Sequence, residues 1–220
     1  MLPFYERFRA FLGRMLSVTL GIVITFSVQG ILDRQRDKRA IRSALELVQT
    51  ELASNLDDIG ILSDYFRQEQ ASAQYLTAHK KDLAKCPADS VNFHIGYVNA
   101  DVSVAFSHDA LELLKMSSMF PKIRDNDLSM KIIRAYNTCE LMVSNINRHV
   151  SARDSYAEST VARAEANKRT VFPAASPERM RASATGAAEW LITRQDDFTW
   201  ITDPTDIQEA LDAIDSFLKY

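Results

Sequence analysis

The 220-residue chain has little of what breaks helices and little of what staples small folds. Six glycines and six prolines are too few for a turn-rich all-β protein and suit long helices. The two cysteines, Cys86 and Cys139, lie far apart in sequence, which excludes a local zinc or redox pair of the C-x-x-C kind. Either they form one long-loop disulfide in an oxidising compartment or they stand as two unpaired small residues. Neither charge sign dominates: a formal net charge of −3 excludes the broadly basic surface of a nucleic-acid binder. Internal repeats and low-complexity tracts are also lacking, and 46% hydrophobic with 25% charged residues marks a globular rather than a disordered chain.

Motifs that carry chemistry are missing too. The phosphate-cradling G-x-x-x-x-G-K-[ST] and G-x-G-x-x-G loops, the G-x-S-x-G elbow and the H-E-x-x-H zinc helix do not occur. No two of His79, His94, His108 and His149 stand three or four residues apart. His108-Asp109 reads as a helix start. Asp57 and Asp58 are adjacent and so point to different faces of a helix. No catalytic residue, cofactor-binding residue or metal ligand is assigned, no cofactor is expected, and the chain is not read as an enzyme. An enzyme would need a site assembled from separate elements, such as His94, His108 and Glu140.

What the chain does have is one uncharged apolar run, Met15 to Leu32, closed by Arg14 and Asp33. A helix of this length measures about 27 Å, close to the hydrocarbon thickness of a bilayer. The run has no polar face, which argues against a buried soluble helix. Its apolar core is longer than that of a signal peptide, and Val28-x-Gly30 makes a poor cleavage site, so it reads as an uncleaved single span after a short tail, residues 1–14. Ser17, Gly21 and Thr25 form a small-residue face of the kind that lets membrane helices approach. Arg34, Arg36, Lys38, Arg39 and Arg42 follow as a basic collar suited to lipid headgroups.

Residues 33–220 read as a helical soluble domain. Ile41, Leu45, Val48, Leu52, Leu56, Ile59, Leu62 and Phe66 recur at steps of three and four, which predicts a long helix over about 33–80 running directly out of the span. Leu128, Ile132, Tyr136, Cys139, Val143, Ile146 and Val150 predict a second over about 127–168, with Asp125-Asn126-Asp127 to cap it. A third is expected over about 205–219, where Ile207, Leu211, Ile214 and Leu218 follow the helix start at Asp203-Pro204. The insert between the long helices holds an extended or strand-like stretch, Val91 to Phe106, and a short helix from Asp109. After Pro173 and Pro177 a looser segment is expected. The simplest arrangement is all-α: a transmembrane helix continuing into an antiparallel hairpin or bundle with a short irregular or β-like insert. Glu51 and Asn55 share one helix face, either as a solvated pair or as a polar seam inside the bundle.

Glu51-Leu52-Ala53-Ser54-Asn55 in the first long helix is followed by Ala110-Leu111 through Ile123, Asp125, Leu128, Ile132 or Ile133, and Tyr136-Asn137. With the span before them, this order of parts resembles a family of uncharacterised bacterial single-span membrane-anchored helical proteins, a domain of unknown function. A Trp-Asn-Glu after the span is absent here, where Asp33-Arg34-Gln35 stands, and Ser117-Ser118 replaces a Ser-Gly turn. The resemblance implies an inner-membrane anchor and a periplasmic helical domain, whereas counting Lys and Arg on either side of the span places that domain in the cytoplasm. The partners expected are the lipid bilayer and a second copy or another membrane protein, with no nucleic acid. The function expected is that of an interaction, scaffold or accessory module; a membrane-tethered helical-bundle sensor or ligand-binding domain is the alternative.

Overall fold

A computed structural model describes the backbone of residues 2–194 and 202–219 and the side chains of residues 34–194 and 202–219. Six α-helices and no strand occur among the described residues: α1 (Leu2–Ala78), α2 (Ala88–Val98), α3 (Asp109–Met116), α4 (Asn126–Lys168), α5 (Pro177–Ile192) and α6 (Thr205–Leu218). Residues 15–32 lie outside the described side chains. Among the residues that are fully described, no helix is long and apolar enough to cross a membrane.

The apolar stripe of α1 is buried as its period requires: Ile41, Leu45, Val48, Leu52 and Ile59 join Leu128, Ile132, Ala135, Tyr136 and Met142 of α4 in one core. The relative direction of the two long helices departs from the antiparallel hairpin expected from sequence. Lys122, just before α4, meets Asp37, Tyr136 meets Glu51, Cys139 meets Asn55, and Arg153 meets Glu69. Both residue numbers rise together, so α1 and α4 run parallel. The reason is the insert. A parallel pair needs a connection that travels back along the first helix, and residues 79–125 make that journey, from the end of α1 to the level of Asp37. After the 3-10 turn Leu83–Lys85, α2 starts down beside α1, with His94 on Ser72 and Tyr97 accepting through its carbonyl from Tyr65 Oη. An extended run, residues 100–108, continues downward to Ser107 at Asn55, and α3 follows from Glu51.

The remaining helices descend along α4. Arg179 of α5 pairs with Glu158 and Glu165, Gly186 lies against Ala157 and Thr160, and Trp190 packs edge-on to His149. Thr138 then donates to Asp206 at the start of α6, whose Ile207, Ala210 and Ile214 complete the lower core. The result is an up-down-up-down four-column bundle. Two columns are the continuous helices α1 and α4. The other two are broken, α2–extended run–α3 and α5–α6.

Two expectations about local structure change here. Val91 to Phe106 was expected to be extended or a strand, but its first part is α2, because Val91, Ile95 and Val98 are spaced for one helix face, and Ile95 and Val98 pack with Ala73 and Leu76 of α1. Residues 100–108 lie in neither helix nor strand. The segment after Pro177 is not loose: Ser176 caps α5 by accepting from Arg179 N–H, with Pro177 in the first turn. Its apolar face is mostly alanine (Ala184, Ala187, Ala188), which gives little hydrophobic signal but lets α5 lie close to α4.

Candidate functional site

The chemistry-bearing residues of the interior fall into two polar seams between α1 and its neighbours, one turn set at Glu51 and Asn55 and the other at Glu69. Each helps to fasten the non-helical run 100–108, whose middle has no helix of its own to satisfy its backbone N–H and C=O groups.

At the lower seam, Asn55 is buried at mid-helix and its amide pairs with both backbone groups of Ser107: Nδ2 donates to the carbonyl at 2.9 Å, and the Ser107 N–H donates to Oδ1 at 3.1 Å. One turn earlier, Glu51 receives the Ser107 hydroxyl at 2.6 Å, the Tyr136 hydroxyl at 2.6 Å and the Ala110 N–H at 3.0 Å. Glu51 therefore caps α3 from another helix; its negative charge sits at the positive end of the α3 dipole. Ser107 and His108, the local candidates for that role, do not cap with their side chains. Burial pushes the Glu51 carboxyl up, but the donors from Ser107, Tyr136, Ala110 and Asp109 outweigh it and hold the group below the ordinary carboxylate value. Burial and the bond to Glu51 push the Tyr136 phenol far above its usual range. Burial also pushes the Cys139 thiol up to about 11, against the weak opposing contact of Asn55 at 3.9 Å from its sulfur.

At the upper seam Glu69 and Arg153 are completely buried. Arg153 Nη1 donates to Glu69 Oε1 at 2.7 Å, Nη2 donates to the Ala100 carbonyl at 2.8 Å, and Nε donates to Asp154 at 2.9 Å. His149 Nε2 lies 3.4 Å from Glu69 Oε2. Burial works against the Arg153 charge, but Glu69 and Asp154 outweigh it and raise its pKa further. Between the seams Phe66, Ile146 and Val150 form a small apolar cluster with Val102 and Val104 of the extended run. Both ends of that run are thus pinned, Ala100 through Arg153 and Ser107 through Asn55. In these seams the carboxylates meet protein donors and form connected hydrogen-bond networks.

Sequence reasoning pointed to Glu51 and Asn55 only as a pair sharing a face, and missed Glu69, His149 and Arg153. The one available signal for the latter was the continuation of the apolar stripe through Glu69, between Phe66 and Ala73. Cys86 and Cys139 are not brought together: both are free, Cys139 beside Asn55 and Cys86 beyond the far end of α1. Asn55 and the end of α1 at Ala78 are about 35 Å apart along the helix axis, so the long-loop disulfide is replaced by two separate thiols. His94 stacks on Tyr75 near the top of the bundle, well away from His108 at the start of α3. Among the described residues no group of three or more His, Cys, Asp and Glu is placed to hold a metal ion. An open cleft of about 310 Å³ lies between α4 and the start of α6, bordered by Thr138, Leu141, Asn145 and Asp206. Arg34, Arg36, Lys38, Arg39 and Arg42 are all exposed on α1, with Arg42 paired to Glu46. Ser17, Gly21 and Thr25 lie outside the described side chains. No protein-family model, curated protein or solved structure matches the chain.

Proposed function

We propose that this chain is a single-span, membrane-anchored helical module that acts by interaction, as a scaffold or accessory subunit, and not by catalysis. The observation that carries this reading is α1 itself. One helix, Leu2–Ala78, contains both the uncharged run Met15–Leu32 and the central column of the bundle. No hinge separates anchor from domain, so the position of the bundle follows that of the span. The seams support the same reading, because their polar groups are used to hold the return segment 100–108 against α1. Partners of this module would be the bilayer and a second copy or another membrane protein, met through the small-residue face Ser17, Gly21 and Thr25 or through the bundle surface.

Membrane extraction and in-cell crosslinking of the full chain test this together. Resistance to alkaline extraction and a discrete crosslinked species are expected. Release as a soluble monomer that captures no membrane protein would overturn it. For sidedness, a membrane-impermeant maleimide applied to intact cells should reach Cys86 if the bundle is exported, as the family resemblance implies, and only after lysis if it is cytoplasmic.

A further inference from the structure

We infer that the turn between α3 and α4 is a second membrane contact, a basic foot that rests the base of the bundle on anionic lipid headgroups. This rests on the anchoring reading above and adds to it a lipid class and a site remote in sequence from the span. The turn Phe120–Lys122 is locked to α1 at a defined height. Lys122 Nζ donates to Asp37 Oδ1 at 2.8 Å, and Ile123 is buried in the core. Asp37 follows the last apolar residue of the run, Leu32, by five positions, or about 7.5 Å along the helix. The headgroup layer on each face of a bilayer is roughly 5–8 Å thick. Lys122 is therefore held at the outer surface of that layer, not above it.

The charge at this end fits the same partner. Arg34, Arg36, Lys38, Arg39 and Arg124 are exposed there, beside Lys122, whose charge is paired with Asp37. Among the described side chains nearby, Asp37 pairs with Lys122, Asp127 with Lys131 and Asp215 with Lys219, and Asp125 caps α4 by accepting from Leu128 N–H. A cationic rim at headgroup height is attracted to anionic lipid at about 1 kcal/mol per basic residue near the surface, and the attraction is screened by salt. The collar alone surrounds one helix. Arg124 carries the basic surface outward beneath a second column, which would keep the bundle upright.

The test uses the full chain in nanodiscs of phosphatidylcholine and of a phosphatidylcholine–phosphatidylglycerol mixture, with amide hydrogen exchange read over residues 119–124. The Lys122 and Ile123 amides already donate within the turn, so they report its opening. Exchange there should be several-fold slower in the anionic discs, revert at high salt, and revert in Arg124→Glu but not in Lys81→Glu at the far end. Equal exchange in both discs, or equal slowing in both, would overturn the anionic foot while leaving the anchor in place. Failure of the chain to remain with either disc would remove the anchor and this inference with it.

Discussion

Asn55 and Ser107 are joined as a miniature ladder: one side-chain amide satisfies both the N–H and the C=O of one backbone residue across two columns of the bundle. This pair and its neighbour Glu51 give the segment Glu51-Leu52-Ala53-Ser54-Asn55 of the first long helix its role. It is the fastening for the segment that makes a parallel α1–α4 arrangement possible.

Asn55→Ala leaves the partly buried N–H and C=O of Ser107 without their protein partner. A loss of about 1–3 kcal/mol is expected, because water reaches Ser107 and replaces part of what is lost. Asn55→Asp keeps the acceptor but not the donor and should fall between. Denaturant midpoints of the purified full chain in one detergent check the order.

Glu51 gives the fold an acid limit. Its folded pKa is depressed, so its contribution is fully present above the unfolded value near 4.5 and is lost as pH falls through the lower folded value. Glu51→Gln should lower stability at neutral pH by about 1–2 kcal/mol, as for a partly exposed charged hydrogen bond, and flatten the dependence of melting temperature on pH below 4.5. An unchanged acid profile in the variant would show that other carboxylates set the limit.

Breaking the buried Arg153–Glu69 pair is expected to cost about 3–5 kcal/mol for either Glu69→Gln or Arg153→Met, because each leaves a charge or polar group uncompensated. The double variant should recover part of this, although the Ala100 carbonyl stays without its donor. A double-mutant cycle on unfolding free energies measures the coupling; strict additivity would deny it.

Three backbone positions carry opposite signs. Gly60 faces open space, so Gly60→Ala should stabilise α1 by about 0.5–1 kcal/mol. A Cβ at Gly186 would stand 2.9 Å from the Ala157 Cα, so Gly186→Ala should separate α5 from α4 and destabilise. Ser118 follows α3 with φ 55, the conformation that favours glycine, and Ser118→Gly should stabilise by about 1 kcal/mol. Thermal melts of the three variants check the signs.

The two thiols should differ sharply toward maleimide at mildly alkaline pH. Cys86 is partly exposed, whereas Cys139 is buried with its pKa pushed up to about 11. Cys86 should label in the native protein and Cys139 only on unfolding, with no dependence on prior reduction. Comparable native rates would contradict the packing of α4 on α1.

The sequence by itself determined the two long helices, the last one and their buried faces. Periodicity located α1, α4 and α6, scarcity of Gly and Pro excluded a sheet protein, and Asp125 acts as the cap its spacing suggests. These features are local, decided within a few turns of chain. It did not reveal α5, whose alanine face packs by closeness rather than by apolar area. Nor did it distinguish Val91 and Val98 on a helix from the same residues on a strand. Only the tertiary structure decided that α1 and α4 run parallel, since a hydrophobic stripe says that a face is covered but not in which direction its partner travels. The same step turned Glu51, Glu69 and Arg153 from ordinary helix-surface charges into internal ties. Their roles depend on a segment distant in sequence, residues 100–108, whose unpaired backbone had to be satisfied where it passed.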